Sequence, residues 1–143
     1  MNRKILAACL LSSALTASSK TQLLEDIPLQ WRPTSALQLG TAQVTPSTVT
    51  IAPFTDGRDN KKVIGENREE KTPKPVTTTD DVGTFVSTNI RRLFDQAGVK
   101  TVDSNGEVIV KGEVKKFFVR EESTYKSTVE IHLTVIDQDG KTL

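Results

Sequence analysis

The sequence holds one cysteine, Cys9, and it lies inside an apolar run near the N-terminus. Beyond it there is no thiol, so residues 10–143 can build neither a disulfide framework nor a thiolate metal site. A single histidine, His132, cannot make a zinc site alone. Aromatic residues are scarce at 5%, with one Trp and one Tyr. No phosphate-binding glycine loop, HExxH helix or GxSxG elbow occurs. Excess charge of one sign is lacking too: the formal net charge is +1. Without Arg3 and Lys4 the 19 basic residues fall to 17 against 18 acidic ones, a net charge of −1. Nothing in that balance would steer the chain onto a phosphate backbone, and nucleic acid is not an expected partner.

What is present begins with an export signal. Met1-Asn2-Arg3-Lys4 is a short basic start, and Ile5 to Thr16 is an apolar run of signal-sequence length, too short to span a bilayer. Small residues follow at Ala17, Ser18 and Ser19, which places cleavage at Ala17 and Ser18. Leu15-Thr16-Ala17 matches the front of a lipobox, but Ser18 stands where the lipid-accepting cysteine would be, and a hydroxyl forms no thioether. The expected address is the periplasm or outer membrane of a Gram-negative envelope, with membrane association through the N-terminus and an envelope protein as partner.

Residues 18–47 contain Pro28, Pro33 and Pro46 without a sustained apolar period and read as a tether, extended near Leu29–Trp31. Trp31 is expected to pack the tether on the domain. Residues 48–143 read as one α+β domain: an antiparallel sheet with one amphipathic helix packed on one face, in two layers. Thr48–Phe54 alternates as a strand that Pro53 ends. Residues 56–78 are polar, mixed in charge and hold two prolines, which predicts a long mobile loop with one apolar knot at Val63-Ile64-Gly65.

The helix is predicted over Asp80–Ala97, capped by Thr79 or Asp80 and stopped by Gly98. Val82, Phe85, Val86, Ile90, Leu93, Phe94 and Ala97 form its apolar stripe. Strands follow at Val99–Val102, Val108–Arg120 and Tyr125–Ile136. The last alternates with Tyr125, Val129, Ile131, Leu133 and Val135 inward and Lys126, Thr128, Glu130, His132 and Thr134 outward. Asp137-Gln138-Asp139-Gly140 reads as a hairpin turn, and a return strand is expected to run past Leu143, so the domain is expected to be C-terminally incomplete.

The run Val49-Thr50-Ile51-Ala52-Pro53-Phe54-Thr55-Asp56-Gly57-Arg58, with Ile64-Gly65, Gly112-Glu113-Val114, Phe117–Val119 and Asp139-Gly140-Lys141, resembles the YajG-like family of bacterial envelope lipoproteins. The resemblance spans residues 45–143 and implies an envelope location and an α+β fold; it implies no chemistry.

Asp56, Arg58 and Asp59, with Ile64 and Gly65, are the candidate interaction loop. Two carboxylates and a guanidinium at a strand end could hold a divalent ion or an anion; an Asx turn with a local ion pair is the plainer reading. No cofactor, metal or catalytic residue is expected. The function expected from the sequence is a non-enzymatic structural or interaction module of the envelope. A small-ligand-binding periplasmic domain, using a helix–sheet groove, is the first alternative. A hydrolase with a metal at Asp56 and Asp59 is the second.

Overall fold

A computed structural model of the chain describes residues 24–32 and 48–143. The signal segment, with Ala17 and Ser18, and residues 33–47 of the tether lie outside the described residues.

One strand organises the domain. β6 (Val108–Glu121) is 14 residues long and has strand partners along both edges. Along one edge it runs antiparallel to β7 (Tyr125–Asp137), from Val108↔Asp137 to Glu121↔Tyr125. Along the other it receives three strands in turn. β1 (Thr48–Ile51) pairs at Val108–Val110, β2 (Thr55–Asp56) at Glu113–Val114, and β3 (Val63–Asn67) at Val119–Glu121. β5 (Lys100–Val102) lies outside β1, and β4 (Lys74–Thr77) lies outside β3.

The class is α+β with one helix, α1 (Val82–Gln96), on a seven-stranded sheet. The sheet is mixed, which corrects the expectation of a wholly antiparallel one: β1, β2 and β3 all run parallel to β6, and β5 parallel to β1. The chain leaves the sheet after β4, crosses through α1, and re-enters at the end where β1 began. Such a crossover makes the re-entering strands parallel to β1. Alternation along a strand reports its wet and dry faces and carries no information about a neighbour's direction.

Residues 56–78 correct a second expectation. They were expected to be one long loop, yet they contain β3 and β4, paired antiparallel with a register shift between Val63 and Gly65. Their charges are used both across strands and within the hairpin: Glu66 of β3 pairs with Arg120 of β6 and with Arg68, both at 2.7 Å, and Lys74 with Glu70 at 2.8 Å. Ile64 of the apolar knot enters the core, and Gly65 sits so near β6 that an added Cβ would lie 2.4 Å from the Val119 carbonyl oxygen. The outer edge of β4 is also engaged. Ile27 N–H donates to Thr77 O (2.8 Å) and Thr77 N–H to Leu24 O (2.9 Å), so the start of the tether lies along β4.

The cap of α1 lies beyond both predicted ones, one residue after Asp80 and two after Thr79. Asp81 is the N-cap, its Oδ1 accepting from Thr84 N–H at 2.6 Å. Asp80 instead accepts from Leu29 N–H at 2.7 Å and ties the tether to the helix start. At the other end Gly98 adopts φ 81°, with Val99 N–H donating to Phe94 O and Gly98 N–H to Asp95 O, both at 3.0 Å. That double bond is a Schellman stop, and it needs the left-handed residue that glycine supplies.

The core lies between α1 and the sheet: Val49, Ile51, Phe54, Ile64, Val82, Val86, Val99, Val110 and Val114 are buried, and Phe85 meets Phe117 edge-on at 6.1 Å. α1 packs on β1, β2, β5 and β6 but does not reach β7. Of the inward set of β7, Ile131 and Val135 therefore join the core, while Tyr125, Val129 and Leu133 stay 74%, 55% and 54% exposed.

Helix and sheet touch closely at Gly83, where an added Cβ would lie 2.2 Å from the Phe54 carbonyl oxygen. Helix propensity alone favours Gly83→Ala by about 1 kcal/mol. The obstacle is backbone, however, so the helix must shift, and overpacking of this kind costs roughly 1–3 kcal/mol. Gly83→Ala is expected to lower the melting temperature, with the exposed Thr84→Ala as the control. A G83A protein as stable as the parent would contradict the close approach.

Candidate functional site

The Asp56–Asp59 segment begins where β2 ends. Gly57 N–H continues the parallel ladder to Val114 O at 3.0 Å. The chain then turns, and Arg58 folds back under the turn until its side chain is 6% exposed and that of Asp56 5%. Arg58 Nε–H donates to Asp56 Oδ1 (2.8 Å) and Nη2–H to Asp56 Oδ2 (2.7 Å), a bidentate pair. Its remaining donors reach three carbonyls: Lys61 O from Nη2 (2.7 Å), and Val63 O (3.0 Å) and Phe117 O (3.5 Å) from Nη1. The backbone N–H of Arg58 donates to Asp56 Oδ1 at 3.2 Å, which completes an Asx turn.

A guanidinium has five N–H donors, and here all five are spent inside the protein. The Asp56 carboxylate accepts on both oxygens, and the hydrogen bonds from Arg58 hold its pKa below the ordinary carboxylate value. Neither group is left to grip an anion or a metal ion. Asp59 is exposed and does not join the pair. Among the described residues no three His, Cys, Asp or Glu side chains come together in a way that could hold a metal. The segment acts as a staple: one buried arginine fastens the β2–β3 turn to β6. Ile64 and Gly65 are joined to it through Val63 and lie in the sheet rather than on an accessible loop.

Beside the staple is an open recess of about 440 Å³, bordered by Arg58, Asp59, Asn60, Lys115, Phe118 and Thr128. The two lysines at its rim are ion-paired, Lys115 with Glu113 and Lys116 with Glu130, both at 2.7 Å. A second recess, about 430 Å³, is largely apolar. The tether residues Leu24, Ile27 and Leu29 form one wall, Phe85 of α1 another, and Ile64, Val76, Phe117 and Val119 the floor; Tyr125 stands at its mouth. Six separate segments supply it, so no local motif announces it. The only signal in the sequence was the expectation of a helix–sheet groove.

His132 lies on the exposed face of β7, opposite Glu113 and 3.5 Å from Glu130. Ser127, an odd number of residues away, falls on the other face. Trp31 is 40% exposed, on the tether segment that borders the groove.

No family model matches the chain, and no curated protein matches its sequence. Among solved structures its fold is similar to that of protein XCC0632 from Xanthomonas campestris, of family DUF330, with a TM-score of 0.50 and 12% sequence identity. The match covers 66% of this chain and 60% of that one, so the chain spans less than two thirds of that protein. At such identity the likeness is one of fold.

Proposed function

We propose that the chain is a non-enzymatic cell-envelope protein, exported by its N-terminal signal, that acts as an interaction module in the periplasm or at the outer membrane. The observation that carries this reading is the apolar strip left uncovered by α1. Val119, Tyr125, Val129 and Leu133 are exposed on one face of β6 and β7 and run into the mouth of the 430 Å³ groove. Apolar surface gathered in this way suits a protein partner better than it suits water. The basic start and apolar run of residues 1–16 support export. The resemblance to YajG-like envelope lipoproteins supports the location, and Ser18 in place of the lipid-accepting cysteine favours an unanchored form.

The groove itself supports a second reading, a site for a small apolar ligand, since its volume and lining are those of many such pockets.

The test is expression of the full chain in a Gram-negative host, with fractionation, intact mass and cross-linking in the envelope. Expected are loss of the leader near Ala17, no lipid mass, and a cross-linked envelope protein that Val129→Asp/Leu133→Asp abolishes. A diacylglyceryl adduct would overturn the unanchored form. Retention in the cytoplasm with the leader intact would overturn the envelope reading, and an apolar small molecule co-purifying in place of a protein would favour the second reading.

A further inference from the structure

The start of the tether is hydrogen-bonded to the domain at two residues. Thr77 of β4 takes most of the load: its N–H donates to Leu24 O (2.9 Å), its O accepts from Ile27 N–H (2.8 Å), and its Oγ1 accepts from Asp26 N–H (3.1 Å). Asp80 is the second fastening, accepting from Leu29 N–H at 2.7 Å. The ladder has no room to lengthen along β4. The extra residue of the β3–β4 pairing, Ile64, lies on β3, so β4 keeps its period of two and Pro75 turns its nitrogen to the same outer edge as Thr77. A proline has no N–H to give there.

The hold is also shallow. Leu24, Ile27 and Leu29 are half-buried, not buried. Asp26 sits at φ 54°, which glycine takes freely and other residues take at a cost. Yet this lightly fastened segment forms a whole wall of the 430 Å³ apolar groove.

We propose that Leu24–Leu29 is a detachable strap, and that it occupies the seat of an extended apolar segment of a partner protein. The strap itself shows what that segment must carry. It needs apolar side chains spaced as Leu24, Ile27 and Leu29, one C=O and two N–H groups for Thr77, and a further N–H for Asp80. Glycine in the place of Asp26 would remove the cost that the strap bears. Residues 33–47 join the strap to β1, so it competes at an effective concentration on the order of 1 mM. The proposal rests on the reading of the groove as a protein-binding site and adds its regulation: the free protein keeps the seat covered. The clasp is on β4, separated from β7 by β3 and β6.

A fluorescent peptide of the strap's own sequence, residues 24–32, tests this against the full chain by anisotropy. Leu24→Asp and Ile27→Asp/Leu29→Asp in the chain weaken only the built-in competitor. Both proteins should bind the peptide about tenfold or more tightly than the parent does. A peptide carrying Asp26→Gly should bind more tightly still, and one carrying Ile27→Asp/Leu29→Asp should not bind. Hydrogen exchange gives a readout that needs no strap variant to fold. In the parent, the Ile27, Leu29 and Thr77 amides should exchange together and well before those of Val110 and Val114. Asp80→Ala, at an exposed position, should speed them by about tenfold. Exchange of the three amides only with global unfolding would overturn the strap. So would a peptide that binds parent and folded strap variants alike, or binds none of them. Uptake of the apolar dye anilinonaphthalene sulfonate by the strap variants, with no uptake of peptide, would overturn an extended segment as the occupant. A chain that binds the peptide yet cross-links to no envelope protein would count against the envelope reading and leave the strap standing.

Discussion

Arg58→Ala is expected to lose roughly 3–5 kcal/mol of stability at neutral pH, the usual loss when one member of a buried ion pair is removed. The reason is what stays behind. Asp56 would keep a buried carboxylate without its bidentate donor, and the carbonyls of Lys61, Val63 and Phe117 would lose theirs. Arg58→Lys should recover only part of the loss, because an ammonium keeps the charge but cannot reproduce the planar fork. The pair also sets a pH dependence. Asp56 has a lower pKa folded than unfolded, so its stabilisation is fully present above the unfolded carboxylate value, near 4. It fades as the pH falls through the lower, folded value. Urea unfolding at pH 7 and at pH 3 should therefore show a smaller acid loss in R58A than in the parent. An R58A protein as stable as the parent, with the same acid slope, would mean that the staple does not hold the turn.

Val114→Asp is expected to abolish folding. Val114 is 0% exposed, at the point of β6 where β2 pairs and α1 crosses. A carboxylate there has no donor within the core, and its burial costs on the order of 5 kcal/mol, which rivals the whole stability of a small domain. Lys111→Asp, three residues back along the same strand, should cost well under 1 kcal/mol by comparison, as exposed substitutions usually do, since Lys111 is exposed. Circular dichroism and melting of the two variants make the comparison. Equal melting curves would show that β6 is not the centre of the core.

The helix and the last two strands could be read from single residues. Gly98 marks the left-handed stop, and the 3.6-residue stripe through Val82, Val86, Ile90 and Phe94 marks the core face. The twelve-residue alternation from Tyr125 marks β7. Residues 63–77 could not be read in this way. Glu66 looks like a loop residue in sequence, because the partner that fixes it, Arg120, becomes a neighbour only when β3 and β6 pair. Asp56 and Arg58 were visible as a motif, and their plainer reading, an Asx turn with an ion pair, describes the local geometry. That Arg58 turns inward to two further backbone segments was not visible.

By itself the sequence determined the local matters: that α1 exists and where it stops, which strand faces are wet, and that no thiol or histidine pair lies beyond Cys9. These depend on neighbours within a few residues, through capping, periodicity and composition. Tertiary structure alone decided that three short strands dock parallel on β6, and that the Asp56–Arg58 pair is spent on holding the fold. It also decided that α1 stops short of β7. The outcome there is set by the length and placement of one helix against a 14-residue strand. An apolar residue such as Val129 carries the same alternation signal whether a helix reaches it or not. Burial is a property of what lies opposite, and only the assembled sheet says what that is.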